Sequence, residues 1–257
     1  MKVVIIGSGN VATILGRSMK KVGHTIVEVY SRQAAHAQLL ADELQCGFTD
    51  KIELIEPNSD IYLFAISDVA ISSLDTRFKF GNKLAIHTAG SVSIDVLNKV
   101  SANYGVLYPL QSLRKEMETI PEIPLLIDGN TEDTRANIEE FAKTLSPLVG
   151  TSTDEERLKL HVAAVFVSNF TNHLYALASS YCKKEALDFS LLFPLIKETA
   201  QRLSQYAAAE VQTGPAARKD IVTIDKHLKL LSNYPDLKYL YAKLSDSIID
   251  YQANIVI

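Results

Sequence analysis

Val3-Val4-Ile5-Ile6-Gly7-Ser8-Gly9-Asn10-Val11-Ala12 is the stretch that decides the fold. Val3 to Ile6 is an apolar run without alternation, as a strand covered on both faces requires. Gly7 to Ala12 fits the pattern G-x-G-x-x-A. The first glycine permits a tight turn, and the second removes a Cβ so that a pyrophosphate can approach the backbone. Ala12 lets the following helix pack close to the strand. Glycine pairs also mark ordinary turns, so the context decides. Apolar residues at 11, 14, 15, 19 and 22 have helical spacing, Gly23 ends that helix, and Thr25 to Tyr30 reads as a second strand. The unit predicts a dinucleotide site on Gly7, Ser8, Gly9, Asn10, Val11 and Ala12. The free N–H groups and positive dipole end of the helix face the phosphates.

The end of the second strand selects between dinucleotides. An NAD site wants a carboxylate there for the ribose 2′-OH. This chain has Tyr30-Ser31-Arg32, and Glu28 lies two residues inside the strand. A hydroxyl followed by a guanidinium suits a 2′-phosphate, which Arg grips bidentately. Ser31 and Arg32 therefore point to NADP as cofactor.

The chain has 257 residues, 47% of them hydrophobic and 22% charged, which is room for two modest domains. A formal net charge of −4 argues against a nucleic-acid surface. Two distant cysteines, Cys46 and Cys182, make no disulfide framework, and the expectation is a reducing cytoplasm. With the first strand expected from residue 2, no leader is expected, and apolar runs are interrupted too early for a membrane span to be expected.

Further strands are expected at 46–49, 60–66, 83–86, 105–108 and 125–129. Helices are expected at 33–45, 69–76, from Ser93 or Asp95 to Ala102, and 131–145. The predicted class is α/β: an N-terminal doubly wound sheet over 1–150, then an all-α domain over 151–257. Pro147 to Glu156 reads as the boundary. Helical tracts follow at 155–182, 189–212, 216–233 and from Pro235 to Ile249. Ligands of such sheets lie beyond the C-terminal ends of the strands. That edge carries Ser67-Asp68 and the small-residue loop His87-Thr88-Ala89-Gly90-Ser91. Ser67 and Ala89 are expected beside a nicotinamide, and Asp68 also suits a helix N-cap. His87 is either an acid/base group or a strand-end histidine bonded to backbone.

In the helical half, His161, Asn169 and His173 fall on roughly one side of a helix. They suit a substrate or a helix contact. No carboxylates accompany them, so no metal is expected. Thr213-Gly214-Pro215 punctuates the chain before Arg218, Lys219 and Asp220, a place for an anionic substrate group or an ordinary basic corner. Thr223 and His227 follow at i, i+4 spacing.

Gly7 to Ala12, Ser31-Arg32, His87 to Ser91 and Tyr108-Pro109-Leu110-Gln111 resemble the N-terminal domain of the pyrroline-5-carboxylate reductase and deazaflavin-dependent NADP reductase group. His161 to Asn169 with Thr213-Gly214-Pro215, Arg218, Asp220 and His227-Leu228 resembles a narrower family of Rossmann-like NADP oxidoreductases of unsettled substrate. The resemblance implies an NADP-binding domain plus a helical domain, often paired as a homodimer through the helices. Related β-hydroxyacid dehydrogenases place a catalytic Lys four residues before an Asn on the first long helix. Here Val165 stands there, ahead of Asn169, which favours C=N or C=O reduction over alcohol oxidation. The expected substrate is a small molecule lying between the domains, with catalytic candidates His173, Asn169, His87 and Arg218, one of the histidines giving a proton. The alternative is a nucleotide-binding sensor or scaffold without turnover.

Overall fold

The computed structural model describes residues 1–255. Its first half follows the apolar runs. Strand β1 (Lys2–Ile6) leads into helix α1 (Asn10–Lys21), which carries Lys20 and Lys21 in its last turn, where cations offset the dipole. There follow β2 (Thr25–Tyr30), α2 (Ala34–Leu44), the short β3 (Gly47–Thr49), β4 (Ile61–Phe64), α3 (Asp68–Ser72), β5 (Gly81–His87), β6 (Ser101–Pro109), β7 (Leu125–Gly129), α4 (Glu132–Leu145) and β8 (Val149–Thr151). The strands form one sheet in the order β3-β2-β1-β4-β5-β6-β7-β8. All pairs are parallel except β6 with β7.

Both faces of the sheet are covered, which is why β1 shows no alternation. Val3 and Ile5 pack with residues of α1, α2 and α4. Val4 and Ile6 pack on the other side with Tyr62, Phe64, Ile71 and Phe78. Each such fully buried side chain contributes about 1.5–3 kcal/mol.

Because β7 runs antiparallel to β6, the connection between them needs no crossover helix. Residues 110–124 instead form a strap at the C-terminal edge of β6. It is tied to α1: the Asn10 Oδ1 accepts from the Lys115 N–H at 3.1 Å, and Arg17 Nη1 donates to the carbonyls of Lys115 (2.8 Å) and Met117 (3.1 Å).

Three expectations need correction. The helix expected up to Ala102 is a single 3₁₀ turn, Ile94–Leu97, because β6 already begins at Ser101. Val149-Gly150, within the expected boundary, belongs to the edge strand β8, parallel to β7. The polar run after it is a helix start: Thr153 and Glu156 form a reciprocal capping box on α5 (Asp154–Ala164).

By its contacts the chain divides after Phe170. The first unit contains α5 and ends in a π-helical turn, Val165–Phe170. The second, from Thr171, contains no strand among the described residues. It comprises α6 (Thr171–Lys184), α7 (Phe193–Gln201), α8 (Ile221–Leu230) and α9 (Pro235–Ile255), with 3₁₀ turns between. The tracts expected at 189–212 and 216–233 are thus shorter and broken, and 215–219 is a turn rather than helix. Tyr181 and Tyr234 meet edge to face at 5.2 Å within this unit.

Candidate cofactor site and the edge of the sheet

The glycine turn has the geometry a pyrophosphate cradle requires. Gly7 has φ +123°, and a Cβ there would lie 2.2 Å from the Ala65 carbonyl oxygen, so only glycine fits between β1 and β4. A Cβ on Gly9 would meet nothing within 4 Å: that side is open. Gly9 is the N-cap of α1 and offers no side chain, and the first turn carries no acidic residue. The leading N–H groups are left for an anion. Ala12 is fully buried, as its close packing demands, and Val11 is half-buried against the core. The Asn10 side chain is spent on the strap.

Beside the turn, the Ser8 hydroxyl donates to the Ser31 hydroxyl at 3.1 Å. Arg32 is exposed and has no carboxylate paired to it, unlike Arg77, which binds Asp75 at 2.7 Å and also Glu53. Ser8, Gly9, Ser31, Arg32, Ser67 and Arg77 are among the residues lining a cavity of about 600 Å³, ample for part of a dinucleotide. Glu28 is not available: its carboxylate accepts the Glu56 N–H at 3.0 Å, and burial lifts its pKa above the ordinary value. The residues present fit NADP.

Farther along the edge, Ser67 rather than Asp68 caps α3, accepting from the Ala70 N–H at 3.4 Å. Asp68, the first helical residue, accepts instead from the Ser91 hydroxyl. His87 is fully buried at the end of β5. Its Nδ1 accepts the Ala89 N–H at 3.1 Å, and its Nε2 has no hydrogen-bond partner. Burial, and then the charge of Arg157, push its pKa down to about 4. His87 is shut off from solvent, with its Nδ1 engaged by backbone and its pKa held below the ordinary value.

Arg157, on α5, is fully buried too. Its Nη2 donates to the Val92 carbonyl at 2.7 Å and to Asp154 at 2.5 Å, leaving Nε and Nη1 unpartnered. Burial pulls the Asp154 carboxyl up, but hydrogen bonds from Ser93 and Arg157 outweigh it and hold the group below its ordinary value.

One turn further on α5, His161 Nδ1 lies 2.8 Å from the Tyr108 hydroxyl, at the end of β6. Gly90 presses on both rings: a Cβ there would sit 2.8 Å from Tyr108 Cζ and 3.0 Å from His161 Nδ1. Sequence reading placed His161 in a stripe with Asn169 and His173. It quoted Tyr108 only within a family pattern and did not pair it with His161, 53 residues away, nor single out Arg157. A hydroxyl ending a strand at the ligand edge was the available signal.

Asn169 is exposed on the π-helical turn, and in the second unit His173 is exposed on α6 and Arg218 on the 215–219 turn. Asp220 is the N-cap of α8, accepting from Thr223 N (3.0 Å) and Oγ1 (2.7 Å). His227 Nδ1 contacts the Tyr241 hydroxyl at 2.7 Å. Among the described residues no group of three His, Cys, Asp or Glu could hold a metal ion, and no helix is long and apolar enough to cross a membrane.

Residues 2–99 match the family described as NADP oxidoreductase coenzyme F420-dependent, and residues 123–248 match a domain of unknown function, DUF2520. A Bacteroides fragilis protein provisionally named an NADP oxidoreductase is 37% identical. The match covers 97% of this chain and 98% of that one, with a TM-score of 0.90. A reductive aminase from Aspergillus terreus, in complex with NADPH and ethyl-5-oxohexanoate, is 18% identical over 97% and 98% of the two chains, with a TM-score of 0.69. A 1-pyrroline-5-carboxylate reductase from Streptococcus pyogenes is 12% identical over 97% and 98%, with a TM-score of 0.65. These two share the fold. No curated protein matches the chain. Cradle and family agree on NADP as the cofactor.

Proposed function

The chain belongs to the NADP oxidoreductase family of its Bacteroides fragilis relative, and we propose that it is an NADPH-dependent reductase of a small C=N or C=O substrate. The observation that carries this reading is the unpaired Arg32 guanidinium. It stands with Ser31 at the rim of a cavity that runs from the open glycine turn to Ser67. When bound, NADPH supplies the hydride. The chain binds, orients and sets the polarity of the site. The N–H groups of Gly9 to Ala12 hold the pyrophosphate, and Ser31 and Arg32 hold the 2′-phosphate. Ser67 and the small-residue 87–91 loop, Ala89 included, would flank the nicotinamide. His87 orients the loop by accepting the Ala89 N–H and gives up no proton.

The imine arm of this reading draws on the folds of the reductive aminase and the pyrroline-5-carboxylate reductase. Asn169, His173 and Arg218 are exposed, hydrogen-bonding side chains suited to a substrate, and Arg218 suits an anionic one. The second unit exposes Leu187, Leu191, Phe193, Leu195, Ile221 and Val222, each more than half accessible. A second copy of the chain covers them in a homodimer. Free Cys46 and Cys182 suit the cytoplasm.

The test is a fluorescence titration with NADPH and NADH, wild type beside Arg32→Ala. NADPH should bind at least tenfold tighter, about 1.4 kcal/mol, and Arg32→Ala should erase the gap. Failure of either nucleotide to bind at tens of micromolar would remove the reductase reading. A screen of cyclic imines and small ketones follows, with Asn169→Ala, His173→Ala and Arg218→Ala as variants that should lower turnover but keep NADPH.

A further inference from the structure

Hydride delivery to a neutral C=N or C=O needs a proton for the nitrogen or oxygen left with the electron pair. Neither the glycine cradle nor His87 offers one. We propose that the Tyr108 hydroxyl is the proton donor and that His161 positions and recharges it. The proposal rests on the NADPH-dependent reduction above.

Four observations support it. Tyr108 is the last residue but one of β6, beside the end of β5 and its 87–91 loop, at the edge where open parallel sheets take their ligands. The loop contains glycine at position 90, where a Cβ would press on both Tyr108 and His161. The loop has therefore kept room for this pair of rings against it. The phenol is in its acid form: burial and then the Asp68 charge raise its pKa, with Arg157 pulling weakly the other way. His161 is half-buried, so it communicates with water, while Tyr108 is 8% exposed. A buried donor backed by a wetter imidazole is the arrangement a proton relay uses.

The step balances as follows. In the productive tautomer His161 Nδ1–H donates to the Tyr108 oxygen, which frees the phenolic O–H for the substrate. As carbon takes the hydride, the π electrons of the C=N or C=O move to nitrogen or oxygen, and that atom takes the Tyr108 proton. The phenolate takes the Nδ1 proton as His161 Nε2 takes one from water, leaving hydroxide and the Nε2–H tautomer; proton exchange of the half-buried ring with solvent then returns it to Nδ1–H, and a solvent proton neutralises the hydroxide. The net reactants are one hydride and one solvent proton. The charged or titratable groups facing the pair are Asp68, Arg157 and His161 itself.

The decisive experiment is NMR of protein with ¹³Cζ-labelled tyrosine, one resonance among eleven being assigned to Tyr108 through Tyr108→Phe. NADP⁺ is added to saturation, as monitored independently by fluorescence. The expected result is a shift of the Tyr108 resonance that tracks saturation and exceeds that of most other tyrosines. A Tyr108 resonance unmoved while fluorescence reports full binding overturns the proposal and leaves the NADP reading standing. No nucleotide binding at all overturns the underlying reading and the proposal with it.

Turnover gives the second arm, with 1-pyrroline as probe. Tyr108→Phe should keep NADPH affinity within about twofold and lose about 10²–10⁴ in kcat. His161→Asn, whose amide can still donate to the Tyr108 oxygen, should retain more activity than His161→Leu. Both should move the alkaline limb of the pH profile. Tyr108→Phe with kcat within threefold of wild type overturns the donor role.

Discussion

His87 shows how a single residue ties stability to pH. Burial depresses its pKa from 6.5 to about 4 in the folded chain. Between those values the unfolded chain holds the proton and the folded chain does not. The stability His87 contributes is complete above pH 6.5 and is lost as pH falls towards 4, by up to about 3 kcal/mol. Urea unfolding at pH 7 and 4.5 should show that loss in wild type, and a visibly shallower one in His87→Asn. Gly7, Gly9, Ser31 and Arg32 were legible in the sequence because backbone constraint and strand-end chemistry are local. His87 was legible as a choice between two roles, but its burial was not, since that depends on what α5 and the sheet edge place over it. Tyr108 with His161, and the buried Arg157, were not legible. Their meaning lies in neighbours brought together across 53 and 65 residues.

At the scale of elements, α5 is the piece that sequence reading cut from its neighbours. Thr151 to Glu156 read as part of a domain boundary because residues that cap helices and residues that end domains are the same polar types. The capping box starts the helix and Asp154 fixes the buried Arg157, so α5 packs onto the sheet edge. Asp154→Ala strips the buried guanidinium of its counter-charge and should cost about 3 kcal/mol. Arg157→Met, which removes the charge and keeps the volume, should cost less in chemical denaturation. It should also raise the His87 pKa, visible by histidine NMR, because one of the two causes of its depression is gone. The opposite error occurred at 95–102, where helical residues lost to strand pairing: β6 starts at Ser101, and sheet contacts outrank local propensity.

At the scale of the whole chain, the α/β half was readable from short unbroken apolar runs set between turn residues and helical stretches, and the α-only half from helical spacing without such runs. What covers the apolar residues of the second unit was not. Sedimentation equilibrium should give twice the monomer mass, and Leu191→Asp with Val222→Asp should shift it towards one copy while far-UV circular dichroism is kept. One feature of the sheet also makes the chain report on itself. The reversal at β7 leaves the strap on the ligand side, with Arg114 and Lys115 exposed and the Lys115 backbone held by Asn10 and Arg17 beside the glycine turn. Trypsin must pull this segment loose to cut it, so any molecule that stiffens the turn protects the bond. NADPH should slow cleavage after Arg114 and Lys115 in wild type and much less in Arg32→Ala, so a timed digest would read cofactor occupancy without any substrate.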